Sequence, residues 1–142
     1  MHKYFNLMRN RVKNLPEEIT AFFAGDRFSN AVGCRIDEVG DDYAVCSLPL
    51  QDSLYNAQHS VMGGAIFTLA DFSFAVCAHV EKAPAVTVSA SVIFIHPPKG
   101  ERIIATARMI HSGRTTCAAT VALTDSTGET VATVSISGMY IS

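Results

Sequence analysis

From Gly63 to Val80 the chain reads GGAIFTLADFSFAVCAHV, and no other stretch constrains the fold as much. At helical spacing Ile66, Phe67, Leu69, Ala70, Phe72, Phe74, Ala75, Val76 and Cys77 cover every face. A helix that is apolar all round must be surrounded by protein or by lipid. Its length of about 18 residues is at the lower limit for a bilayer span. Asp71 lies near its centre, however, and paired glycines open it. Strand-like sequence follows, not a second apolar span. A buried core helix is therefore expected. An ionised carboxylate on such a helix is costly unless it is paired, hydrogen-bonded or neutralised. A carboxylate with a raised pKa is a ready general base or nucleophile. The plain alternative is an Asp that caps a broken helix or faces solvent at a gap.

The rest of the chain supplies what could surround this helix. Met1–Val12 reads as a short helix. Pro16, followed by Glu17 and Glu18 and then Ile19, Phe22 and Phe23, reads as a helix start with acids at the positive end of the dipole. Gly33–Val39 and Tyr43–Leu48 read as strands around the turn Gly40-Asp41-Asp42, and Gln51–Met62 as a polar loop. After the long helix come four strand-like runs, Ala85–His96, Arg102–Ile110, Thr115–Leu123 and Thr130–Ile141, separated by turn-forming residues. Short connections predict that these four form a consecutive antiparallel meander. A sheet of that size beside one apolar helix is expected to curl around it, an α+β architecture. Residues 1–25 are read as an N-terminal helical segment and residues 26–142 as the domain.

The chain has 142 residues, enough for one domain with a sizeable core. Its residues are 49% hydrophobic and only 17% charged, more apolar surface than a monomer of this size needs to bury. Oligomerisation is the natural outlet, and a homodimer or homotetramer is expected. A net charge of -2 gives no basic footprint for nucleic acid, and no membrane partner is expected. Cys34, Cys46, Cys77 and Cys117 form no Cys-x-x-Cys pair, which fits reduced, buried thiols in a cytoplasmic protein. Lys3, Arg9, Arg11 and Lys13 interleave with the first apolar residues, so no signal peptide is read. The five histidines have no metal-ligand spacing, there is no Gly-x-Ser-x-Gly elbow or phosphate loop, and neither metal nor cofactor is expected.

The order of elements and the residues around Asp71 resemble the hotdog-fold acyl-CoA thioesterases, in particular the phenylacetate-degradation type within the hydroxybenzoyl-CoA thioesterase superfamily. That pattern has an Asn in the loop, His-Gly-Gly opening the helix and Leu-Ala-Asp within it. Here it reads Asn56, Met62-Gly63-Gly64 and Leu69-Ala70-Asp71. Downstream, Thr87, Phe94-Ile95-His96-Pro97 and Gly113-Arg114 also fit. The resemblance runs from about Asp26 to Ile141. One departure stands out: the His before the glycines is Met62 here, and His59, three positions earlier, is not a simple replacement.

The resemblance implies a curved antiparallel sheet wrapped around one helix, and hydrolysis of the thioester of an aryl- or medium-chain acyl-CoA. It implies that the Gly63 amide polarises the carbonyl, since unpaired N–H groups and the positive dipole lie at a helix start. Gly64 lies beside it. The plain alternative for both glycines is close packing against a strand. Asp71 would attack directly or deprotonate water, and the sequence leaves both routes open. At about 1.5 Å per residue, Gly63 and Asp71 lie too far apart on one helix to share a reacting centre comfortably. The resemblance resolves this by dimerisation, with the Gly of one subunit facing the Asp of the other.

Asn56 would orient the water or thioester, or else simply stabilise a turn. Thr87 would support water near Asp71, or be an ordinary strand threonine. Arg114 and Lys99 are candidates for the phosphates of coenzyme A, against the plain reading of solvated loop cations. Met62 and His59 complete the candidate substrate contacts. Two further readings remain: a hotdog hydratase or dehydratase, which normally pairs a His with an acid, and a binder of acyl-CoA or acyl-carrier protein without turnover.

Overall fold

The computed structural model describes residues 16–141, so the expected helix over Met1–Val12 lies outside it. Pro16 caps α1 (Glu17–Phe23), whose first turn carries Glu17 and Glu18 against the dipole. A short helix α2 (Arg27–Val32) follows, which six residues of mixed polarity do not announce by periodicity. β1 (Arg35–Val39) and β2 (Tyr43–Pro49) pair as an antiparallel hairpin. The loop after β2 contains a 3-10 turn at Asp52–Leu54 and an isolated bridge between Tyr55 and Val61. Then come α3 (Gly63–Glu81), β3 (Ala85–Phe94), β4 (Arg102–Ser112), β5 (Thr116–Asp125) and β6 (Thr130–Tyr140).

The six strands form one antiparallel sheet in the order β1-β2-β4-β5-β6-β3. This corrects the expected four-strand meander. β4, β5 and β6 do run as consecutive hairpins, but β3 pairs with β6 at the far edge. The connection after β3 explains why. Pro97 and Pro98 have no N–H to donate to a ladder. Ile95 and His96 still donate to Val131 O on β6. The Lys99 N–H then reaches Asp125 Oδ2 and the Glu101 N–H reaches Ser126 Oγ, so the link crosses the β5–β6 turn before entering β4.

α3 lies in the concave face of this sheet. Phe74, Leu69, Val76 and Ala78 are buried completely, and they meet inward residues such as Leu48, Ile103, Ala119 and Leu123. In β5, Cys117, Ala119, Val121 and Leu123 are buried, while Thr120 and Ala122 between them are exposed. The apolar helix that passes a membrane-length test is thus the core helix of the sheet.

One expectation about α3 needs correction: within one protomer it is not enclosed on every side. Gly63, Phe67, Asp71 and Ala75, at successive turns, are only half-buried, and Gly64 is exposed. Asp71 therefore sits at the edge of the core, facing β3, and is not sealed within it.

Candidate functional site with Asp71 held by Thr87

The candidate site has two parts on one helix. The first is the start of α3. Met62 is its N-cap, with φ -58 and ψ 132, and the first turn closes with Ala65 N–H and Ile66 N–H on Met62 O. The N–H groups of Gly63 and Gly64 donate to no acceptor among the described residues. They are the open donors that a helix start offers to a developing negative charge. A Cβ added at Gly63 would lie 3.1 Å from the Phe94 ring. Close packing against a strand therefore accounts for the glycine at this position, while its amide stays open. Gly63, Phe94, Val61 and Pro97 line a cavity of about 270 Å³.

The loop before α3 is fixed by Asn56. Its Oδ1 accepts hydrogen bonds from the Gln58 and Ser60 N–H groups at 2.9 and 3.1 Å. The turn-stabilising role weighed for Asn56 is thus the one its oxygen performs. Only its Nδ2 remains for substrate. His59, in the same turn, takes a positive φ of 63, and it lines a polar cavity of about 580 Å³ with Asn56, Tyr55 and Gln51. Met62 is 55% exposed and borders a separate, more apolar cavity of about 500 Å³ with Phe28, Leu54 and Gly64.

The second part is mid-helix. Thr87 Oγ1 donates to Asp71 Oδ1 at 2.6 Å, joining α3 to β3. Asp71 Oδ2 accepts nothing among the described residues. One carboxylate oxygen is thereby oriented and the other left for chemistry. Thr87 pairs with Gly138 on β6. A Cβ added at Gly138 would come within 2.8 Å of Phe74 and 2.7 Å of Val86 O. Only glycine lets β6 and β3 approach the helix closely enough for Thr87 to reach Asp71. The sequence reading passed over Gly138; a glycine inside a β-rich run is the signal that would have raised it.

Gly63 and Asp71 are eight residues apart, about 12 Å along the helix axis. One protomer does not bring them to a common atom. Arg114 and Lys99 are further apart still. They flank opposite ends of β4, whose length is roughly 33 Å. Both are exposed.

No thiol joins this chemistry. The four cysteines are free and buried. Burial pushes the Cys34 and Cys77 thiols up to about 12 and raises that of Cys46 further, so they remain protonated. Among the described residues no group of His, Cys, Asp and Glu could hold a metal ion. His79, the helix's own histidine, packs edge-on against Phe22 at 4.4 Å between ring centroids.

A curved antiparallel sheet around one central helix is the hotdog fold. The E. coli PaaI protein from the phenylacetic acid degradation operon shares it, with a TM-score of 0.83 and 24% identity over 89% of this chain and 92% of that one. A hypothetical thioesterase from Streptococcus pneumoniae TIGR4, solved with coenzyme A, matches with a TM-score of 0.77 and 21% identity over 84% and 96% of the two chains. The thioesterase superfamily profile matches residues 58–132, more than half of the sequence, and the chain belongs to that superfamily as a hotdog thioesterase. Among characterised proteins it is similar to the acyl-coenzyme A thioesterase PaaI of E. coli strain K12, 27% identical over 79% of this chain and 81% of that protein.

Proposed function

We propose that the protein hydrolyses acyl-CoA thioesters, aryl or medium-chain, at two composite sites formed across a two-fold dimer interface. Support for the reaction comes from the similarity to an acyl-CoA thioesterase and from the Thr87–Asp71 hydrogen bond. That bond is the observation that carries the reading. It holds a carboxylate at the edge of an apolar core with one oxygen unengaged, as a general base or nucleophile requires.

In the proposed dimer, the Gly63 amide of one subunit receives the carbonyl oxygen as it gains charge. Such donors contribute about 3 kcal/mol each in water-excluded sites. Asp71 of the other subunit takes a proton from water attacking the carbonyl carbon, or attacks that carbon itself to form a mixed anhydride that water then hydrolyses; in both routes the C–S bond breaks and the thiolate of coenzyme A leaves. Asn56 Nδ2 orients the thioester or water. Thr87 positions Asp71. Met62, Gly64 and His59 border the acyl and pantetheine path, and Arg114 and Lys99 meet phosphates.

Two features support the assembly. β3 is an edge strand without a charged residue, and Val88 and Ile93 on it are 64% and 62% exposed. Pairing of two β3 strands would cover these residues, continue the sheet and bring two α3 helices together. On the sheet's outer face Thr120, Ala122, Thr133 and Ser135 form an uncharged patch beside the exposed Arg108, a surface open to back-to-back packing of two dimers. No histidine adjoins Asp71 among the described residues on α3, so the hydratase reading gains no support.

A panel of aryl-, short-, medium- and long-chain acyl-CoAs, assayed by free-thiol release, tests the function. Turnover greatest on aryl or medium-chain substrates is expected. Binding of acyl-CoA without thiol release from any of them would overturn the reading in favour of a binding protein.

A further inference from the structure

We propose that Lys82 is a positioning residue for coenzyme A: it ties the β4–β5 hairpin to the end of α3 so that Arg114 is held where the phosphates arrive. The inference rests on the reading of Arg114 given above and extends it to a residue that reading does not include.

Lys82 is the first residue after α3. Its Nζ donates to Gly113 O and to Arg114 O, both at 2.9 Å. The same ammonium lies 5.0 Å from the centroid of the Tyr140 ring. Tyr140 in turn shares a 2.6 Å hydrogen bond with Ser112 Oγ. The hairpin's own backbone closes with Gly113 N–H on Thr116 O at 2.8 Å. Side chains from α3's end and from β6 thus grip a turn of four residues, Ser112 to Thr115.

This arrangement is more than a surface lysine finding a partner. A lysine ammonium is normally left in water, because ordering its long stem costs side-chain entropy. Here it is spent on two adjacent main-chain carbonyls, through charge-assisted bonds. Those carbonyls carry partial negative charge that would oppose a phosphate nearby. Lys82 offsets it and adds a second cation beside Arg114. The Arg114 guanidinium itself has no hydrogen bond or ion pair among the described residues, so it is available to an outside anion.

Spacing supports the same assignment. Glu81, the last residue of α3, lies ten residues after Asp71, about 15 Å along the axis, and Lys82 follows it directly. That is the order of length of the pantetheine arm that separates the thioester of an acyl-CoA from its pyrophosphate. One protomer would therefore present the catalytic carboxylate and the phosphate contact at the two ends of that arm, with α3 as the spacer between them.

Three variants, Lys82→Met, Lys82→Arg and Arg114→Ala, test this on two substrates. One is the acyl-CoA turned over best, and the other is the same acyl group on N-acetylcysteamine, which has no phosphates. For Lys82→Met the expected result is a KM for acyl-CoA raised about tenfold, the effect of losing a charge-assisted contact network. Its kcat should stay within about twofold, and kcat/KM on the N-acetylcysteamine thioester should be unchanged. Lys82→Arg, which can still donate to both carbonyls, should restore the KM. Equal loss on both substrates would overturn the proposal, since Lys82 would then support the fold or Asp71. An effect of Arg114→Ala on KM with none from Lys82→Met would overturn the positioning role alone. No effect of Arg114→Ala would show that the phosphate reading of Arg114 had failed, and the proposal with it.

Discussion

β1 and β3 both end the sheet, but they are built differently. β1 has five residues, three of them charged (Arg35, Asp37 and Glu38), and its pairing is broken by an irregularity between Ile36 and Glu38. β3 has ten residues and no charge, and it exposes Val86, Val88, Ile93 and Phe94. Shortness, charge and irregular pairing are the usual ways of keeping an edge strand from recruiting another chain. β1 has all three, and β3 lacks the first two. β3's one irregularity, between Thr87 and Ser89, falls beside the residue that reaches Asp71. Exposed apolar side chains also occur elsewhere, Phe28 and Ile110 among them, but β3 carries four of them within ten residues. The β3 cluster lies at the edge next to Asp71, so the proposed assembly and the proposed activity would depend on the same edge.

The largest effect should come from removing this difference between the edges. Val88→Lys with Ile93→Lys would give β3 the charge that β1 carries. The expected result is a monomer in sedimentation, with thioesterase activity reduced at least about 10³-fold, because each site loses its partner's half. Asp37→Lys on β1 should leave both unchanged. A fully active monomer would break the comparison.

Nearly as large is the effect expected within the site. Asp71→Asn should lower kcat about 10²- to 10⁴-fold, with assembly and melting temperature retained. Gly63→Pro removes the amide hydrogen itself. Proline is favoured at the first helical position, the φ and ψ of Met62 suit a residue preceding proline, and the exposed Phe94 ring, 3.1 Å from the added Cβ, must give by a few tenths of an ångström. A loss of about 10²- to 10³-fold is expected. Mixing the two dead variants should then restore activity, because a mixed dimer holds one intact site. Random pairing gives about a quarter of the wild-type sites. Absence of any recovery after subunit exchange would show that each site lies within one subunit.

Met62→His is expected to raise turnover about 10- to 100-fold, if a hydrogen-bonding group at that point reaches the thioester or its water. Met62 is 55% exposed at the start of the helix, so folding should tolerate the change. Unchanged turnover at an already high rate would show that Gly63, Asn56 and Asp71 suffice without it.

The smallest effect is on acid stability. Asp125 is buried in the β5–β6 turn, where the Thr127 hydroxyl and then the Lys99 N–H hold its carboxyl down to about 2. A folded-state value below the unfolded one stabilises the protein fully above the ordinary carboxylate range. That stabilisation is lost as the pH falls from about 4 to about 2. Asp125→Asn should flatten this part of the melting profile in both the assembled protein and the β3 monomer. Identical acid profiles for Asp125→Asn and the native protein would rule the contribution out.

The helix and the strands were largely legible in the sequence because each has a local signature. α3 begins at Gly63 and continues one residue past Val80, and β2 to β6 fall within a few residues of the expected runs. The place of β3 was not legible. Its sequence suits either a hairpin with β4 or an edge beside β6, and the choice is made by a proline-containing link whose N–H groups bond to β6 and the β5–β6 turn. α2 escaped notice because six residues are too few to show a period.

At the site, residue types were legible and their relations were not. An acid on an apolar helix made Asp71 stand out in the sequence, but its half-buried place at the edge of the core, facing β3, was not legible there. That Thr87 holds it, that Gly138 makes room for that contact, and that Asn56 spends its oxygen on a turn are decided by residues far apart in sequence meeting in space. Lys82 belongs to the same class: as a sequence position it is one lysine after a helix, and only the return of β4 and β5 brings two carbonyls to its ammonium. Patterns of burial follow from local periodicity, so the chain states them directly; which polar group meets which depends on strand order and register, and those exist only once the sheet has closed around the helix.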